Sequence, residues 1–367
     1  MKNIILKSAA AIALCVCFTL PASAQQTKIL TADKHNEYGL VYSLPLTALE
    51  VNIRARHTQL KAGPYAQYAR KYLGTDKVVT ADADRWEILE VEVRPYGTLD
   101  TETKYLMQLK PGALTYIGVA EDGMLLSINA KPRPEAPEPN LRPAPRTEQT
   151  PFSGKEYLKY VNEDFTSALS SAKQAQMLAE SLMEIRDSYL SLTRGTADNM
   201  PTDGRQLELM LNSLHDQESA LTAAFTGTEW SETITRRYTY IPEDNGIEML
   251  LRFSDFAGFC EADDLAGAPV NLSVKITAEG ELPADGDGNV KQLPKDAVRY
   301  CIPGNALITI DHEGKTLYSR ELEFSQFGVE FGLNPSLFTD RKEPSYAIFS
   351  PVTGGLTEIG TMSAGNE

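Results

Sequence analysis

Apolar and polar positions alternate along two stretches near the start of the chain. Leu49, Val51, Ile53 and Ala55 are separated by Glu50, Asn52, Arg54 and Arg56, and Leu89, Val91 and Val93 alternate with Glu90, Glu92 and Arg94. A period of two puts one set on a buried face and the other in water, so both stretches read as half-buried strands. Between them, Pro64 to Leu73 reads as a short helix. Pro64 suits its first turn, Tyr65, Tyr68 and Tyr72 share a face, and Gly74 suits its end. Glu121-Asp122-Gly123, between Tyr116–Val119 and Met124–Ile128, reads as a hairpin turn.

After residue 152 the period changes. Leu158, Val161, Phe165, Ala168, Ala172, Ala175, Ala179 and Leu182 recur at steps of three and four. This predicts one amphipathic helix from Ser153 to Leu192, on the order of 60 Å long. Gly195 to Gly204, with Pro201 inside it, breaks the pattern. A second helix follows from about Asp203 to Phe225, with Leu207, Leu211, Leu214, Leu221 and Phe225 inward and Gly227 at its end. Asp203 and Asp198 or Asn199 supply cap chemistry. Two helices with a short connection predict an antiparallel hairpin. Strand character then returns at Thr233–Ile241, Ile247–Phe253, Val270–Ala278, Ala306–Asp311, Thr316–Phe324 and Tyr346–Ser350, with a turn from Asp311 to Gly314.

Seven prolines crowd Lys131 to Pro151, which excludes helix interior and central strand and predicts an extended spacer. The expected class is therefore α+β. Two β-rich, sandwich-like domains (25–130 and 229–367) are separated by the spacer (131–151) and the helical hairpin (152–228). Residues 1–24 read as a secretory signal peptide. Lys2 and Lys7 precede an apolar run from Ala9 to Leu20, and Ala22-Ser23-Ala24 is a small-x-small cleavage site. A lipid anchor on Cys15 or Cys17 fits less well, because Leu14 and Val16 precede them where a small residue belongs. Processing near Ala24 points to the periplasm or cell envelope, with no transmembrane segment in the mature chain.

Several runs carry a resemblance. Glu184-Ile185-Arg186-Asp187, Asp198-Asn199-Met200-Pro201, Asp203-Gly204 and Leu209-Met210-Leu211 form one set. Gln217-Glu218, Thr226-Gly227-Thr228 and Tyr38-Gly39-Leu40-Val41-Tyr42 form another. Together they resemble the family called domain of unknown function 4831, over nearly the whole mature chain. That family consists of exported proteins of Bacteroidetes-type bacteria, so the resemblance implies an envelope location. It implies no activity, and no functional residue is carried over from it.

Composition sharpens the picture by exclusion. The 367 residues hold 50 acidic and 35 basic side chains, a formal charge of −15. Loss of Lys2 and Lys7 makes this −17, and residues 229–367 alone carry 23 acids against 11 bases. Phosphate backbones and anionic membrane surfaces need clustered Lys and Arg, so nucleic acid is excluded as a partner. Cys260 and Cys301 remain after processing, which in an exported chain leaves open a disulfide or two buried thiols. Absence of CxxC argues against thioredoxin-like redox chemistry.

His35, His57, His215 and His312 lie in no zinc-ligand spacing, and no GxSxG elbow is present. The strongest metal pattern is Asp285, Asp287 and Asn289 with Asp296 at the twelfth position, an oxygen spacing that suits calcium. Val290 stands where an EF-hand needs glycine, which favours a plain Asp-Gly turn. Asp82/Asp84, Asp263/Asp264 and Glu321/Glu323 are carboxylate pairs of the kind glycoside hydrolysis uses, and Trp86 and Trp230 could stack on sugars. These features lead to three expectations. The first is a non-enzymatic envelope protein that binds or scaffolds another envelope protein or a glycan. The alternatives are a glycan-active hydrolase and a helix-mediated homo-oligomer.

Overall fold

The computed structural model describes residues 28–31, 40–107, 116–133, 154–294, 297–340 and 343–362. The first seven strands are β1 (Lys28–Thr31), β2 (Leu40–Tyr42), β3 (Pro45–Lys61), β4 (Ala83–Leu99), β5 (Tyr105–Met107), β6 (Tyr116–Val119) and β7 (Leu125–Ile128). The rest are β8 (Thr228–Tyr240), β9 (Gly246–Ser254), β10 (Gly258–Cys260), β11 (Ala268–Ala278), β12 (Val298–His312), β13 (Lys315–Leu333), β14 (Ser345–Phe349) and β15 (Leu356–Thr361). The helices are α1 (Ala69–Leu73), α2 (Glu163–Ser167), α3 (Ser171–Arg194) and α4 (Gly204–Thr226). The signal region and most of the proline-rich spacer lie outside the described residues.

The strands form sheets in the orders β4-β3-β8, β10-β9-β11-β12-β13, β1-β6-β7-β14-β15 and β2-β5. This order corrects the expected division into separate N-terminal and C-terminal β domains. β8, from the acidic C-terminal part, pairs antiparallel with β3 from Leu49↔Tyr240 to Lys61↔Thr228 without a register shift. β14 pairs with β7 in the same way across the chain. Alternation fixes which face of a strand is buried, not which strand lies beside it.

The β4-β3-β8 sheet faces the β9–β13 sheet across one core. Leu49, Val51 and Ile53 meet Phe253, Leu272, Ile308 and Phe324 there, all buried. Part-buried polar groups tie the two ends of the chain together. The Arg299 amide donates to the Tyr42 hydroxyl at 2.7 Å, and Gln326 Nε2 donates to the Thr47 carbonyl at 2.9 Å. Asn129 Nδ2 donates to the carbonyls of Phe338 and Ser345. Each group buried this way would be costly unpaired, so the ties also fix register.

The helical region departs from the single long helix that the periodicity predicts. A 3-10 turn (Glu156–Tyr160), α2 and α3 take its place. Two caps make the breaks. Asn162 and Ser170 hold extended backbone, with Asn162 Oδ1 accepting from the Phe165 amide at 3.0 Å and Ser170 Oγ from the Lys173 amide at 3.2 Å. α3 is thereby about 36 Å long. Gly195 ends it in the left-handed conformation, and Asp203 caps α4 through the Arg205 amide. α3 and α4 pack together, with Arg186 Nε 2.7 Å from Glu218 Oε1. Leu178, Leu182, Leu221 and Phe225 share a core with Tyr65, Tyr157 and Phe165.

Candidate functional site

The inner face of β3 that carries Val51, Ile53 and Ala55 continues to His57. Register places Trp86 of β4 and Glu232 of β8 opposite that histidine. The imidazole stacks on Trp86 with ring centroids 4.2 Å apart and planes 9° from parallel, and meets the Trp230 ring edge-on at 6.0 Å. Nε2 lies 3.2 Å from Asp84 Oδ1 and Nδ1 lies 3.3 Å from Glu232 Oε1. The His57 side chain is only 13% exposed. Trp86 is seated by Gly258, whose φ is +74°, and a Cβ there would come within 2.6 Å of the indole. No larger residue fits between that backbone and the ring.

This geometry limits the chemistry. Both imidazole nitrogens are committed to carboxylates on the two neighbouring strands, so neither is free to ligate a metal or activate a nucleophile. Once protonated, the ring can donate to both and tie β4 and β8 to β3. The imidazole occupies the gap between Asp84 and Glu232, the place a sugar and its water would need. Trp86 is covered on one face by His57 and approached by Gly258, so it offers no stacking platform. Among the described residues, buried Trp230 Nε1 has no acceptor.

The other carboxylate pairs are used structurally. Asp82 takes Lys61 Nζ at 2.5 Å and the Ala62 amide at 2.8 Å, and the Lys61 hydrogen bond holds its carboxyl below the usual carboxylate range. Asp264 Oδ1 accepts from the Ala266 amide, and Glu321 Oε1 accepts from the Thr277 hydroxyl. Asp263 and Glu323 bring no second carboxylate to these bonds.

Asp285, Asp287 and Asn289 do come together, as a turn. Asp285 Oδ1 accepts from the Asn289 and Asp287 amides at 2.8 and 3.0 Å, and Oδ2 takes Asn289 Nδ2. These bonds, the Asn289 amide foremost, lower the Asp285 carboxyl pKa. Oxygens that would face a cation thus face N–H donors, as in an Asx-turn. Asp296 lies outside the described residues, as does His35. Among the described residues no cluster of three His, Cys, Asp or Glu side chains is placed to hold a metal ion. His312 Nδ1 contacts the Pro269 carbonyl, and His215 is exposed on α4.

Cys260 and Cys301 are free thiols, so of the two readings left open the structure carries the unbridged one. Register explains why. Cys260 sits beside Arg252, which pairs with Pro269, at the end of the sheet where Val270 meets His312. Cys301 lies eleven residues back along β12, roughly 35 Å away at the usual strand rise. A bridge needs Cα atoms about 4.4–6.8 Å apart.

A second surface lies on the helices. The buried residues of α3 are Ala175, Leu178, Ala179, Leu182 and Leu192, and those of α4 all lie from Ala220 onward. Between Met183 and Ser219 the pair therefore buries little beyond Leu192. It exposes Met183, Tyr189, Leu190, Met200, Leu209 and Met210 instead. Leu209 and Met210 fall outside the inward stripe of Leu207, Leu211 and Leu214, which is the sequence signal for an extra apolar face. Glu232 was not recognisable as a partner of His57, because only strand register joins them.

Residues 38–357 match the model of a family described as Domain of unknown function (DUF4831). No curated protein and no solved structure matches the chain.

Proposed function

The chain belongs to the DUF4831 family, and from that premise we propose that it is an exported, non-enzymatic envelope protein. It binds another envelope protein through the outer halves of α3 and α4. In this reading the facing sheets act as one rigid sandwich and α3–α4 as an antiparallel hairpin projecting from it. Residues 1–24 direct export and are removed near Ala24. No helix among the described residues is long and apolar enough to cross a membrane.

The observation that carries the reading is the contrast along the helices. Leu182 is fully buried, whereas Leu190 and Leu209 are 42% and 55% exposed. Contiguous exposed apolar side chains mark interaction surfaces, and flexible Met and Leu side chains suit protein partners. Sugars call for exposed aromatic rings, and the two tryptophans are engaged around His57. The closed His57 clamp likewise supports binding over glycan hydrolysis. Crosslinking in the native cell with mass spectrometry tests the proposal. The expected result is peptides from residues 183–219 joined to one envelope protein. Crosslinks confined to other segments, or turnover on a glycan panel, would overturn it.

A further inference from the structure

The β4-β3-β8 sheet ends in an open strand. β8 is the edge of that sheet, thirteen residues long, without proline and without a register shift against β3. Two of the other edges, β10 and β4, are blunted. β10 has three residues, and at β4 the Trp86 amide is already bonded to the Asp255 carbonyl at 2.7 Å. Among the described residues, no backbone group from Glu229 to Tyr240 has a hydrogen bond other than those of the β3 ladder. A long unpaired edge is a template for a further strand.

Its charges choose the occupant. Glu229 and Glu232 stand in the first half of β8, and Arg236 and Arg237 in the second. Such an edge repels a copy of itself laid parallel and complements one laid antiparallel. Residues on one face must pair with residues on the same face, which leaves few registers. With Ile234 on a two-fold axis, Glu232 lies opposite the partner's Arg236 and Arg236 opposite the partner's Glu232. Trp230 lies opposite the partner's Tyr238, and Thr233 opposite the partner's Thr235. Aromatic pairs, Thr–Thr pairs and opposite charges are the favourable cross-strand combinations. Both charged groups have capacity to spare. Glu232 engages His57 through Oε1, and Arg236 lies over the Phe259 ring at 5.9 Å.

We propose that a second copy of this chain adds to β8 antiparallel about Ile234. The result is an isologous dimer with a continuous β4-β3-β8-β8-β3-β4 sheet. This surface is distinct from the helix tip, so either proposal can fail alone.

Sedimentation of the protein isolated as the cell makes it should show a dimer. Arg236→Glu and Glu232→Arg each set like charges opposite one another and should weaken the dimer at least tenfold. Mixed in equal amounts, the two variants restore both opposite-charge pairs and should form a heterodimer. Circular dichroism checks that each variant is folded, and the mixing result is one that a folding defect cannot mimic. A monomer at all concentrations would overturn the proposal. So would a dimer indifferent to both reversals, or two variants that stay monomeric when mixed. Loss of the dimer on Leu190→Glu instead would place the interface on the helices and equally overturn it.

Discussion

Leu182 and Leu190 stand eight residues apart on α3, yet one is fully buried and the other is 42% exposed. The inner halves of α3 and α4 are roofed by Tyr65, Tyr157 and Phe165, which pack with Leu182, Leu221 and Phe225. From Met183 to Ser219 only Leu192 is buried. Helix face contributes as well as position: Leu190 lies about 80° round the helix from Leu182, Met183 beside Leu182 is 43% exposed, and Leu192 near the outer end is buried. The supply of neighbouring elements then sets how much of each face is covered, because most helix stability comes from packing of an apolar face.

The sharpest way to break this contrast is truncation on each side. Leu182→Ala should cost about 2–5 kcal/mol in denaturant unfolding, the usual range for a buried leucine. Leu190→Ala should stay within about 0.5 kcal/mol. Equal losses at both sites would erase the distinction.

The buried side of the comparison extends to ionisable groups in the β body. Burial pushes the Cys301 thiol from 9.0 to about 12 and the Tyr42 hydroxyl from 10.0 to about 12. The folded chain keeps these protons where the unfolded chain releases them. Their stabilisation is therefore complete below about pH 9 and is lost as pH rises toward 12. Melting temperature should fall over that window, with a shallower slope in Cys301→Ala and an unchanged slope in Leu190→Ala. A flat profile from pH 8.5 to 11 would contradict the assignment.

Smaller effects mark the boundaries of the outer half. Asp203→Ala removes the α4 cap and should cost about 1 kcal/mol. Arg186→Ala removes the partly exposed pair with Glu218, where α3 passes from buried to exposed. Its loss should be about 0.5 kcal/mol, diminished by salt. A larger loss at Arg186 than at Leu182 would mean that charge rather than packing holds the helices together.

Local features were legible where local physics determines them. Asp203, Gly195 and Gly227 act at helix ends, and Glu121-Asp122-Gly123 turns between β6 and β7. The breaks at Asn162 and Ser170 were hidden, because alanine and leucine spacing ran through both caps. Pairing of β8 with β3 and of β14 with β7 was not legible, since nothing in an alternating strand names its neighbour. The His57 site shows the same limit. Asp84 and Trp86, or Trp230 and Glu232, are ordinary alternate strand positions until register aligns them on one histidine. Cysteine parity left the bridge open for a related reason, as an even count says nothing about the roughly 35 Å along β12.

The most direct test of the binding claim uses two sites of equal exposure. Leu190 on the outer helix and Leu282 on the β body are both 42% exposed. A photo-crosslinking side chain placed at each position, in turn, meets the same solvent but different surfaces. The account predicts that the probe at position 190 captures one envelope protein in living cells while the probe at position 282 does not. Equal capture from both positions, or none from position 190, would contradict it.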